Sequence, residues 1–170
     1  MPVTTDDGMY DEVLLGDLEW QDLEIEITLD SGCVDHVVDA AEAPGYCLFA
    51  SPGSKRKQNF IVGNGAFVPN EGQIHLNMTA DVGGIEQSLN STFQVAKISR
   101  PLMSVSRICD QGLKCMFTDQ TAQVLDKENN VICEFHRSGG FYVAAMKRKK
   151  PSEKDPSGSE RTLPFHRPSR

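Results

Sequence analysis

Short stretches of alternating apolar and polar residues recur along this chain, and glycine-rich turns separate them. Residues 23–29, 73–78 and 113–117 carry an apolar side chain at every second position, which is the period of a half-buried β-strand. Glycines at 63–65 and 139–140 interrupt the pattern, where tight turns are expected. Many short strands at regular spacing predict an all-β domain, either a closed barrel or a sandwich.

One short helix interrupts the predicted strands. Ser104 is a suitable N-cap residue, and Gly112 is suited to end the helix. Between them, Val105, Ile108 and Cys109 share one apolar face at helical spacing. The chain is therefore predicted to be mostly β with a single helix.

Composition and charge limit the class of protein. The chain has 170 residues, of which 39% are hydrophobic and 24% charged, as expected for one globular domain with a tail. Its net charge is −7, but residues 147–170 carry +5, so the remainder carries −12. An acidic body argues against direct nucleic-acid binding. No apolar run is long enough to span a membrane, and the acidic start lacks a secretion signal, so we expect an intracellular protein, cytoplasmic or nuclear.

The cysteines and histidines do not predict a metal site. The five cysteines are odd in number and none are spaced Cys-x-x-Cys, which favours buried reduced thiols over zinc ligands or disulfides. His36 lies next to Asp35, and we interpret it as a structural or solvated residue. No cofactor and no metal are expected.

The candidate catalytic residue is Asp30, which follows the strand predicted over residues 23–29. Ser31 and Gly32 come next, and two apolar residues follow at 37–38. An aspartate at the end of a buried strand, followed by a hydroxyl residue and a glycine, is the local arrangement that an aspartic protease needs. The tripeptide alone more often marks an ordinary turn, since average residue usage produces it by chance in roughly one chain in ten of this length.

Three segments in order resemble the retropepsins, the aspartic proteases of retroviruses and LTR retrotransposons. Residues 30–38 resemble the catalytic loop of that family, residues 59–68 its flap, and residues 102–117 its second hydrophobic motif with the following helix. Residues 102–106 are also similar to a Leu-Leu-Ser-Val stretch of Copia-type polyproteins. The resemblance covers roughly residues 21–117.

This resemblance implies a fold and an activity. The fold would be a retropepsin-like acid protease barrel with one short helix and a C-terminal β extension. The activity would be that of an aspartic endopeptidase, which holds a water between two aspartates of a homodimer and cleaves an extended peptide or a retroelement polyprotein. Because the chain has one Asp-Ser-Gly, each copy would supply one Asp30. The other implied site residues are Ser31 and Gly32 in the catalytic loop, Gly63, Asn64, Gly65, Ala66 and Phe67 in the flap, and Leu102, Met103 and Ser104 in the second motif.

Four segments are expected along the chain. An acidic lead-in covers residues 1–14, and the retropepsin-like domain covers 15–118. A β extension at 119–146 packs on that domain, where it lengthens the barrel or covers the dimer edge. A basic disordered tail follows at 147–170.

Three positions depart from the family pattern. Ser104 stands where the family usually has glycine. Val34 and Val105 stand where many retropepsins carry an aspartate and an arginine, and we interpret them as an ion pair replaced by an apolar contact. These departures leave open a catalytically inactive retropepsin-fold module for dimerisation or peptide binding. An unrelated β-barrel or sandwich is a third alternative.

Overall fold

The computed structural model describes residues 23–151, which are predominantly β, as predicted. The expected lead-in at 1–14 and most of the expected tail at 147–170 lie outside the described residues. The strands are β1 (Glu24–Asp30), β2 (Val37–Val38), β3 (Asn59–Ile61), β4 (Phe67–Pro69), β5 (Gly72–Val82), β6 (Ile85–Val95), β7 (Leu102–Ser104), β8 (Lys114–Phe117), β9 (Thr121–Leu125), β10 (Val131–Ser138) and β11 (Phe141–Arg148). The helices are α1 (Pro52–Lys55) and α2 (Val105–Asp110), and a 3₁₀ turn covers Ala40–Glu42.

Six of these strands close into a ring. β1 pairs in parallel with β7, β7 pairs with β2, and β2 pairs in parallel with β6. β6 forms a long antiparallel hairpin with β5, and β11 then bridges β5 and β1 by antiparallel pairing with both. Alternation along the strands directs one set of apolar side chains inward, as in β1, where Ile25 and Ile27 are buried while Glu24 and Glu26 are exposed.

The C-terminal strands share the core of this ring. β10 pairs with β11, and β9 and β8 continue the same sheet outward. Phe135 of β10 and Met146 of β11 belong to one buried cluster with Phe93 of β6 and Met103 of β7. β11 is therefore part of the closed ring, and β10 and β9, which lie in the extension expected at 119–146, continue the sheet from it.

The last strand is longer than expected. β11 continues to Arg148, two residues beyond the predicted end of the extension at 146. The Arg148 side chain is buried and donates hydrogen bonds to the backbone carbonyls of Glu24, at 2.9 Å, and Glu42. Lys147 pairs with Glu24 of β1, so the basic run begins inside the fold.

Of the two α-helices, α2 was predicted from the sequence and α1 was not. α2 begins after Ser104, whose hydroxyl accepts a hydrogen bond from the Arg107 backbone N–H at 3.3 Å, as a cap should. The prediction of a single helix was wrong, because α1 follows Ser51 in a reciprocal capping arrangement with Ser54. Its four residues are too few to show a helical period in the sequence.

Candidate active site

Asp30 lies at the end of β1, where the chain leaves the ring. Its side chain is half-buried, and its Oδ1 accepts a hydrogen bond from the backbone N–H of Gly32 at 2.8 Å. Ser31 and Gly32 are exposed, and a Cβ built on Gly32 would lie 3.4 Å from that same oxygen. The loop therefore turns tightly around the carboxylate and leaves it open on one side.

Ser104 is the buried residue that holds the Asp30 loop in place. It lies directly opposite Asp30 in the parallel pairing of β1 with β7 and is fully buried. Its hydroxyl donates a short hydrogen bond to the carbonyl of Cys33, and its backbone N–H donates to Nδ1 of His36 at 2.9 Å. Ser104 therefore connects the loop to the start of α2.

His36 is a buried structural residue. Burial, with a smaller contribution from the nearby Arg107 cation, lowers the pKa of its imidazole to about 3. The ring packs against Phe93 with 5.3 Å between ring centroids, and its backbone carbonyl accepts from the Gln94 N–H at 2.8 Å. Because Nδ1 accepts from Ser104, the neutral ring carries its proton on Nε2. Of the two interpretations of His36 from the sequence, a structural residue agrees with this buried position and a solvated residue does not.

The interpretation of Val34 and Val105 as an apolar contact that replaces an ion pair was wrong. Val34 is 63% exposed. An ion pair between the same two segments is present, formed by Asp35 and Arg107 with 3.5 Å between Oδ1 and Nε. The pair lies one residue after Val34 in the loop and two residues after Val105 in the helix.

The hairpin predicted as a flap forms a separate two-stranded sheet from β3 and β4. The Val62 N–H donates to the Ala66 carbonyl at 3.0 Å, and the Ala66 N–H donates to Oδ1 of Asn64 at 2.9 Å. Gly65 has a φ of +84°, which a residue with a side chain rarely adopts. The hairpin therefore has a defined tip, although it stands apart from the ring.

A cavity of about 1430 Å³ lies between the Asp30 loop and this hairpin. Some of the predicted site residues line it: Asp30, Ser31, Gly32, Gly63, Asn64 and Leu102. Others do not: Gly65, Ala66, Phe67, Met103 and Ser104. Met103 is buried in the core, and Phe67, which was predicted in the flap, is 68% exposed. The aromatic side chain of the hairpin that lines the cavity is Phe60 on β3.

A third wall of the cavity comes from residues that sequence reasoning missed. Phe117 of β8 and Phe141 and Tyr142 of β11 line it. Phe117 and Tyr142 pack edge to face with 5.1 Å between ring centroids. The Arg100 guanidinium lies 4.2 Å from the centre of the Phe141 ring. In the sequence, Phe141 and Tyr142 directly follow the Gly139–Gly140 turn, and this aromatic pair was the signal that could have identified them. They line the same cavity as Asp30 because the ring closes.

The chemistry available in the cavity centres on one carboxylate. Among residues 23–151, Asp30 is the single acidic residue that lines it, beside the cations Lys97 and Arg100. Cys33 also lines it, and burial, followed by the charges of Asp30 and Asp35, raises the pKa of its thiol, so the thiol stays protonated. The described residues contain no group of three or more His, Cys, Asp or Glu arranged to hold a metal ion.

Comparisons with protein-family models, with curated proteins and with solved structures find no match to the chain. Within residues 23–151, no helix combines the length and the apolar character that crossing a membrane requires.

Proposed function

We propose that the chain is an aspartic endopeptidase of the retropepsin type, which acts as a homodimer and processes a retroelement polyprotein. The observation that carries the proposal is the shared cavity, in which the Asp30 loop faces the β3–β4 hairpin and the start of β7. Its volume of about 1430 Å³ exceeds the roughly 300–1,000 Å³ of small-molecule sites, which favours an extended peptide as the substrate.

The chemistry requires a second carboxylate, which a second copy of the chain supplies. Two aspartates a few ångströms apart share one proton, because two like charges at that distance disfavour double ionisation. The ionised Asp30 takes a proton from the attacking water, and the protonated Asp30 of the other copy gives one to the carbonyl oxygen of the peptide. The Gly32 N–H holds the carboxylate in place throughout.

The hairpin would contribute by covering the substrate. The residues from Asn59 to Asn64 line the cavity, so a peptide that enters it lies against β3 and the hairpin tip. An extended peptide adds a strand to such an edge, with backbone hydrogen bonds that do not depend on its side chains. Movement of the hairpin would admit the peptide and then exclude water.

Replacement of the candidate catalytic residue tests the proposal. We expect purified protein to cleave polyprotein-derived peptides at mildly acidic pH and Asp30→Asn to reduce kcat by at least about 1,000-fold, because the dyad loses its general base. Asp110→Asn is the matched control, since Asp110 is exposed at the end of α2 and should leave the rate unchanged. Cleavage that survives Asp30→Asn would contradict the assignment.

A second function rests on the single carboxylate in the cavity. If the two copies do not bring their Asp30 residues together, the cavity would bind an extended peptide without cutting it. In that case a fluorescent peptide would bind equally to the wild type and Asp30→Asn, and pepstatin would neither bind nor compete. Sedimentation analysis of the same samples reports whether a dimer forms.

A further inference from the structure

The charges that line the cavity are unequal. One carboxylate, Asp30, faces two cations, Lys97 and Arg100, although the chain outside residues 147–170 carries a net charge of −12. Both cations belong to the connection between β6 and β7, and Lys97 lies 4.0 Å from Glu71. The cavity is therefore the place where an otherwise acidic body presents positive charge.

Arg100 is held in place without a carboxylate partner. No acidic residue within 23–151 forms an ion pair with it, and its guanidinium lies over the Phe141 ring at 4.2 Å. The next residue, Pro101, is buried, and its carbonyl accepts a hydrogen bond from the Thr28 N–H of β1 at 3.0 Å. The arginine backbone is thus tied to the strand that ends in Asp30.

We propose that Arg100 and Phe141 form a subsite that selects peptides with an acidic side chain near the bond to be cleaved. This inference rests on the proposed function and specifies its substrate. A planar guanidinium binds a carboxylate through two parallel hydrogen bonds, and stacking on an aromatic ring restricts its orientation while leaving its edge free. A bound peptide would exclude water from the subsite, which strengthens the pairing.

Lys97 has a smaller part in the selection. Its side chain is 74% exposed and already lies near Glu71, so it attracts an acidic peptide only over a longer range. Phe117 and Tyr142, on the same wall, favour an apolar neighbour of the acidic residue. The expected substrate segment is therefore an apolar residue and a Glu or Asp within a few positions of each other.

The test uses a library of decapeptides with an apolar pair at the centre, in which Glu or Gln is scanned through the flanking positions. At one position or more, we expect the Glu peptide to have about a 10-fold higher kcat/KM than its Gln partner at low salt. Arg100→Gln should bring that ratio within about 2-fold of one, and Lys97→Gln should reduce it less. Arg56→Gln is the control, since Arg56 is exposed and outside the cavity, and it should keep the wild-type ratio.

The outcomes separate this inference from the proposed function. Cleavage that depends on Asp30 but shows no preference for Glu overturns the subsite and leaves the endopeptidase standing. A Glu preference that survives Arg100→Gln also overturns the subsite. If nothing is cleaved, the same Glu and Gln peptides are labelled with a fluorophore, and fluorescence anisotropy measures their binding to the Asp30→Asn protein. Preferential binding of Glu peptides that Arg100→Gln removes would support the subsite without catalysis, and equal or absent binding would overturn it.

Discussion

The two sides of the cavity are built in different ways. The Asp30 loop is joined to the core by buried polar groups, with Ser104 bonded to both the loop carbonyl of Cys33 and the ring of His36. The hairpin opposite is a sheet of two short strands, and its residues Ile61 and Phe67 are 70% and 68% exposed. A carboxylate loop hydrogen-bonded to the core and facing an exposed hairpin suits the proposed peptide hydrolysis, because the reacting groups need fixed geometry while the substrate needs a way in.

The difference also has an energetic side. A substitution at the buried residues that hold the Asp30 loop, Ser104 and His36, leaves buried polar groups without hydrogen-bond partners. It should therefore lower the stability of the whole domain. A substitution in the hairpin affects residues with few buried contacts and should act locally. Three measurements test this contrast, in order of expected effect.

Acidification should have the largest effect, through His36. The pKa of the folded-state ring is about 3, below the 6.5 of the unfolded chain, so only the unfolded state binds its proton between these values. The stabilisation is complete above pH 6.5 and is lost as the pH falls from 6.5 towards 3. Between pH 7.5 and 5 we expect a loss of about 2 kcal/mol in the free energy of unfolding, measured with urea.

Two variants isolate this contribution from that of the carboxylates. His36→Asn keeps an oxygen that can accept from Ser104 but does not titrate, so the loss between the two pH values should shrink by about 2 kcal/mol. Asn90→Gln should keep the wild-type dependence, because Asn90 is exposed on β6 and neither side chain titrates. If the wild type and His36→Asn lost equal stability between the two pH values, His36 would not be the cause of the loss. The proposed dyad would need one protonated carboxyl, so its pH optimum would balance catalysis against this loss of stability.

Removal of the Ser104 hydroxyl should have the next largest effect. Ser104→Ala deletes the helix cap and leaves the Cys33 carbonyl without its partner, so we expect a loss of about 1.5 kcal/mol. Ser138→Ala is the matched control, because Ser138 is exposed at the end of β10 and its loss should stay below about 0.5 kcal/mol. Thermal unfolding at pH 7.5 measures both, and equal losses would mean that Ser104 does not anchor the loop.

The sequence predicts the parts of this molecule that depend on local pattern. Alternation located β1, β5 and β8, and the N-cap and glycine signals located α2. The parts it did not predict depend on closure of the ring, which sets Phe141 beside Arg100 and joins Asp35 to Arg107. Contacts across 41 and 72 positions follow from strand order, and no local period encodes them. Hence Asp30 was identified as a candidate, while the third wall of its cavity was not.

A glycine at the hairpin tip should give the smallest effect and the sharpest contrast. Gly65 has a φ of +84° and no neighbouring atom within 4 Å of an added Cβ, so Gly65→Ala imposes backbone strain of about 1 kcal/mol without a clash. Gly63 has equally open surroundings and no positive φ, so Gly63→Ala is a matched control that should cost little. Because β3 and β4 form their own sheet, the strain should appear as faster amide exchange at Val62 and Ala66, with exchange in β5 and β6 unchanged. Faster exchange throughout the ring would mean that the hairpin unfolds together with the core, and the contrast between the two sides of the cavity would then fail.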